Sequence, residues 1–255
     1  MEPYIGVTGF TAQNQVNEAL AAVLPQGTRK VMVGVLASGK TIWGVPNKWP
    51  ARYPAPDALG GIFTSHGNAL NLIHYNTKEP DTLLPQLART RLLAGPYCHG
   101  FQLNIAWPSV EMLRTAQKEL CPTAPTVIVL QVGNRAFEMA GRSAEKVAEK
   151  VASYEGAADY VLLDPSGGLG KEFVAEEMAD YLRALTAKNL PIGLGVAGGL
   201  CAETLPRIAL LAREFPALSI DAEGRLRDTN DALDQKRVDD YLRTAAKLFA
   251  EESVL

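Results

Sequence analysis

The stretch Leu163-Asp164-Pro165-Ser166-Gly167-Gly168-Leu169-Gly170-Lys171-Glu172-Phe173 runs from an apolar segment through an acidic residue into a glycine-rich turn. A helix-period segment follows it. Gly195-Val196-Ala197-Gly198-Gly199-Leu200 and Ser219-Ile220-Asp221-Ala222-Glu223-Gly224 repeat the pattern. Three such units in series read as strands of a barrel or parallel sheet whose C-terminal ends face one site. Glycines at those ends let backbone N–H groups approach an anion. A phosphorylated small molecule is therefore the expected ligand class.

The alternation extends to both ends of the chain. Strands are expected over Tyr4–Thr8, Lys30–Leu36, Leu70–Tyr75, Gly100–Ile105, Thr126–Val132, Tyr160–Asp164, Ile192–Ala197 and Leu218–Asp221. Helices are expected over Asn14–Val23, Asp81–Leu93, Ser109–Glu119, Ser143–Tyr154, Glu172–Thr186, Ala202–Phe215 and Ala232–Glu251. The connection from Ala37 to Asn68 is rich in Pro, Trp and Gly and reads as a loop with one short helix at Pro56–Ile62. Eight strands in strict alternation with helices favour an α/β fold of the closed (β/α)8 type over an open sheet. No linker or change of composition suggests a second domain, so residues 1–255 are expected to form a single barrel domain.

Residue parity sharpens the expectation. Gly6 and Thr8 share one strand face, as do Gln102 and Asn104, and Gly193, Gly195 and Ala197. Small or polar residues on that face suit a barrel interior, with larger aliphatics turned toward the helices. The polar residue at each strand end then points into the mouth: Thr8, His74 or Asn76, Asn104, Gln131, Asp164 and Asp221. A carboxyl at such a place can act as a general acid or base, and equally as a loop cap. For Asp221, Arg225 and Arg227 offer an ordinary ion pair. Gly198-Gly199 reads either as an anion-binding turn or as a tight turn that needs positive φ. Trp43 and Trp49 lie in the long second loop, where they can pack the loop or line a ligand mouth.

Composition narrows the function. The 255 residues are 47% hydrophobic and 21% charged, in keeping with a soluble protein with a large core. A net charge of −3 offers no basic footprint for nucleic acid or anionic lipid. The longest apolar runs, such as Val127-Ile128-Val129-Leu130, are too short to cross a bilayer. Met1-Glu2-Pro3-Tyr4 lacks a basic and apolar leader pattern, so a cytoplasmic location is expected. Cys98, Cys121 and Cys201 fit neither a disulfide framework nor a zinc pattern, and His66, His74 and His99 are not at metal-ligand spacing. No metal and no cofactor are expected. No lysine ends a strand, which argues against Schiff-base chemistry. A homo-oligomer is compatible with the sequence.

The motifs Leu163-Asp164 with Gly167-Gly168-Leu169-Gly170-Lys171-x-Phe173, Ala197-Gly198-Gly199-Leu200 and Asp221-x-x-Gly224 resemble those of the phosphoribosylanthranilate isomerase family. Ile5-Gly6-Val7-Thr8-Gly9-Phe10-Thr11 and Gly100-Phe101-Gln102-Leu103-Asn104 are similar to its first and fourth strands. Trp49-Pro50-Ala51-Arg52-Tyr53 is similar to its Ser-Pro-Arg loop. The resemblance implies a ribulose-phosphate-binding TIM barrel that catalyses an Amadori rearrangement in tryptophan biosynthesis. It implies Asp164 as general acid, a phosphate held by Gly168, Gly170, Gly198, Gly199 and Gly224, and substrate contacts from Arg52, Gln102 and Asn104. The family's base is a cysteine at the end of strand one, and here Thr8 stands in that position. A hydroxyl cannot take a proton from carbon unaided. Asp221 is the alternative acceptor, because burial can raise a carboxyl toward neutrality. The other readings are a different phosphosugar lyase or epimerase, and a barrel that binds a phosphorylated ligand without turnover.

Overall fold

β-Branched and aliphatic residues dominate every strand expected from the sequence, and each segment pairs on both sides. The structure, a computed structural model, describes residues 1–23, 29–121, 123–166 and 175–251. The strands are β1 (Tyr4–Thr8), β2 (Lys30–Ser38), β3 (Ala69–Asn76), β4 (Gly100–Leu103), β5 (Val127–Gly133), β6 (Tyr160–Asp164), β7 (Gly193–Ala197) and β8 (Ser219–Ala222). They close in sequence order into an all-parallel barrel. β8 joins β1 through Ile5–Ile220, Gly6–Asp221 and Val7–Ala222.

The register keeps one parity inside all the way round: Gly6 lies beside Met32, His74 beside Gln102, Leu162 beside Gly195, and Ala197 beside Asp221. The interior apolar cluster is built from Tyr4, Met32, Leu70, Leu72, Val129, Tyr160, Leu162 and Ala197. The opposite parity, including Ile5, Val7, Val31, Val33 and Val35, packs with the helices in a second, larger core. Each fully buried aliphatic side chain contributes about 1.5–3 kcal/mol, so both cores favour this register. A slip of one residue would exchange them.

The helices are α1 (Gln13–Val23), α2 (Gly39–Ile42), α3 (Leu83–Ala94), α4 (Val110–Glu119), α5 (Asn134–Met139), α6 (Ala144–Ala152), α7 (Ala175–Ala187), α8 (Ala209–Glu214) and α9 (Gln235–Glu251). The buried residues of α9, namely Val238, Tyr241, Leu242, Ala245, Ala246 and Phe249, follow the helical period toward the barrel wall. Ser109 and Ser143 cap α4 and α6 through their hydroxyls. No helix among the described residues is long and apolar enough to cross a membrane.

The helical segments differ from the sequence expectation in several places: α2 falls in a connection expected to hold only the short helix at Pro56–Ile62, and the helix expected from Asp81 opens with a 3-10 turn at Pro80–Thr82. The single helix expected over Ala202–Phe215 is a 3-10 turn at Leu205–Ile208 followed by α8, because Pro206 lacks an N–H and fits only a first turn. α5 precedes α6 in a stretch too short to show periodicity. α9 begins at Gln235 rather than Ala232, since Leu233 forms an antiparallel bridge with Arg227. In the second connection, Pro56–Gly61 forms a 3-10 helix at the expected place.

Candidate active site

The C-terminal ends of β1, β3, β4, β5, β6 and β8 bring Thr8, His74, Gln102, Gln131, Asp164 and Asp221 into one buried polar layer. Thr8 Oγ1 donates toward Asp221, 3.1 Å from Oδ1 and 3.0 Å from Oδ2. Gln102 Nε2 donates to Asp221 Oδ2 at 3.0 Å and to Gln131 Oε1 at 3.3 Å. Gln131 Nε2 in turn donates to Asp164 Oδ2 at 2.9 Å. The two carboxyls are thus joined by two glutamine amides placed head to tail.

Asp221 is 4% exposed, and burial pushes its carboxyl up to about 7. The hydrogen bonds from Gln102 and Thr8 oppose that rise, while Glu223 and Asp164 add to it. Asp164 Oδ1 accepts from Ser166 Oγ at 2.7 Å and from Ser166 N–H at 3.1 Å. Asp221 forms no ion pair among the described residues. Of the two arginines that the sequence offered it, Arg227 pairs with Glu223 instead, at 3.1 Å.

Above this layer, Gly198 has φ +107° and Gly199 φ +66°, conformations that side chains disfavour. A Cβ on Gly198 would press on Asp164 Oδ1 and Ser166 at 3.2 Å, so the turn lies directly against the acid. Gly199, Gly224 and Arg225 line the same mouth. A Cβ on Gly224 would meet nothing within 4 Å, which leaves open space in front of that backbone. Gly168 and Gly170 lie outside the described residues.

Arg52 reaches the mouth from the loop after β2. Its Nε and Nη2 bind both oxygens of Asp231 at 2.6 Å each, and its Nη1 meets Glu223 Oε1 at 3.2 Å. Asn104 lies one residue beyond β4, exposed, and is not among the residues lining the mouth. Trp43 and Trp49 are 66% and 45% exposed on the same rim loop and also stay outside the lining. Sequence reasoning did not single out Ser166, Glu223 or Asp231 as site residues. All three sit in connecting segments with no period to mark them. Among the described residues, no three His, Cys, Asp or Glu side chains are grouped to hold a metal.

The architecture has known counterparts. A phosphoribosyl anthranilate isomerase from Thermus thermophilus matches with a TM-score of 0.61 at 15% identity, over 96% of this chain and 99% of that one. The likeness is one of fold. A phosphoribosyl anthranilate isomerase in complex with reduced 1-(o-carboxyphenylamino)-1-deoxyribulose 5-phosphate matches equally, with a TM-score of 0.61 at 15% identity over 96% and 98% of the two chains. KGPDC from Streptococcus mutans matches with a TM-score of 0.60 at 11% identity over 98% of each chain. No family model and no curated protein sequence matches the chain.

Proposed function

We propose that the barrel, as the chain's one domain, is a phosphosugar isomerase of the phosphoribosylanthranilate isomerase type that works without metal or cofactor. The observation that carries this reading is the pair of buried carboxyls, Asp164 and Asp221, bridged by Gln131 and Gln102 beneath the positive-φ turn at Gly198-Gly199. An Amadori rearrangement needs one group to protonate the ring oxygen and another to take a proton from carbon. Asp164 is assigned the first role. Asp221 takes the second, since it titrates near neutrality and Thr8 can only orient it. Gly198, Gly199 and Gly224, with Gly168 and Gly170, hold the phosphate, and Arg52 and Gln102 contact the rest of the substrate. The bound phosphorylated ligand of one structural neighbour supports the same ligand class.

One observation favours the alternative of a binding barrel without turnover: Arg52 is already committed to Asp231 and Glu223. Complementation of a tryptophan auxotroph that lacks this isomerase separates the two readings. Growth that is lost with Asp164→Asn supports the enzyme. No growth from soluble wild-type protein, together with retained binding of ribose 5-phosphate, supports the binding barrel.

A further inference from the structure

His74 sits on β3 between Leu36 of β2 and Gln102 of β4, and is 7% exposed. Its Nδ1 lies 3.0 Å from Gln102 Nε2. Which of the two groups donates follows from the rest of the layer. Gln131 Nε2 donates to Asp164 Oδ2, which turns the Gln131 carbonyl toward Gln102. That carbonyl, Asp221 Oδ2 and His74 Nδ1 lie 3.3, 3.0 and 3.0 Å from the Gln102 nitrogen and share the two hydrogens of its NH2. A hydrogen on His74 Nδ1 would point into that NH2. Nδ1 is the acceptor, and the ring hydrogen belongs on Nε2. His74 lines the mouth, and its Nε2 makes no hydrogen bond among the described residues.

We propose that His74 is a catalytic residue of this mouth: Gln102 holds it as the Nε2–H tautomer, and that N–H donates to the substrate oxygen that gains negative charge as the proton moves. The assignment rests on the phosphosugar reading above. Burial lowers the ring's affinity for a second proton, and Arg227 acts in the same direction. Glu223 and Asp164 oppose it without cancelling it. The group is thus a neutral donor, suited to a carbonyl or ring oxygen because it stabilises developing charge without releasing its own hydrogen early. The other two histidines have different surroundings. His66 is exposed, and His99 Nδ1 accepts the Asn71 N–H at 2.9 Å at the start of β4.

Nitrogen-15 NMR of the wild-type protein tests the tautomer directly. At pH 7 the His74 ring should show a protonated Nε2 and a bare Nδ1. Gln102→Met should mix the two tautomers. Ribose 5-phosphate should shift the Nε2–H resonance, and His74→Phe should weaken its binding about tenfold while inorganic phosphate binds as before. A hydrogen on Nδ1, or a charged ring at pH 7, overturns the proposal whatever the ligand does. Binding of ribose 5-phosphate that leaves Nε2 unmoved and survives His74→Phe overturns it too, and leaves the phosphosugar reading standing. If wild-type protein binds neither ribose 5-phosphate nor phosphate, that reading falls and the proposal falls with it.

Discussion

Gly34 makes room for Thr8. A Cβ on residue 34 would lie 2.5 Å from Thr8 Oγ1 and 2.9 Å from its Cα, where β1 and β2 are in register. The missing side chain lets the Thr8 hydroxyl turn inward to Asp221. Gly34→Ala should displace Thr8 and lower stability by about 1–3 kcal/mol, read as a shift in the urea midpoint. An unchanged midpoint would mean that Thr8 relaxes freely.

Thr8→Val keeps the volume and removes the donor. The Thr8 hydrogen bond holds the Asp221 carboxyl down against burial, so its loss should move the titration of Asp221 above its present value of about 7. Carboxyl carbon chemical shifts followed against pH would show this. A downward move would contradict the assigned contact.

Stability should depend on pH through the same carboxyl. Between 3.8 and about 7, the folded chain keeps a proton on Asp221 that the unfolded chain has released. The unfolded state therefore binds fewer protons, and stability falls as pH rises through that interval. From pH 5 to pH 8 this group should remove on the order of 2–3 kcal/mol. Asp221→Asn should lose that slope in matched urea titrations. Parallel curves for the two proteins would show that Asp221 does not titrate there.

Turnover should separate the carboxyls. Asp164→Asn should abolish the isomerase rate and leave ribose 5-phosphate affinity within a few-fold, because a side-chain acid acts in the transition state while glycine backbones hold the ground state. If Asp221 accepts the proton, kcat/KM should rise with pH through about 7. A rate that instead falls above that pH would exchange the roles of the two residues. Thr8→Cys should raise the rate if the scaffold still places residue 8 at the reacting carbon.

The barrel was legible in the sequence because its signal is periodic. All eight expected strands lie within two residues of those observed, and β1 and β6 coincide. Parity also placed Thr8, Gln102, Gln131, Asp164 and Asp221 on the interior face, where the structure brings them together. The cluster of Arg52, Glu223, Arg227 and Asp231 was not legible. Its members come from loops without a period, and their meeting depends on the closure of the barrel rather than on local spacing. The fate of Asp221 turned on the same point, since only the folded loop shows Arg227 turned toward Glu223. His74 was placed on its strand, but its hydrogen-bonding state is set by a chain of amides that begins two strands away.

A closed barrel has one joint where its first strand must meet its last. Here the meeting of β1 and β8 rests on three register pairs, with Tyr4 N–H bonded to Ser219 Oγ and Thr8 bonded to Asp221 across the same joint. The barrel is fastened where it is proposed to react. A lineage that alters residue 8 or 221 to change chemistry also loosens the clasp, so new activities on this scaffold should arise with compensating changes along β1 and β8 rather than by replacement of either residue alone.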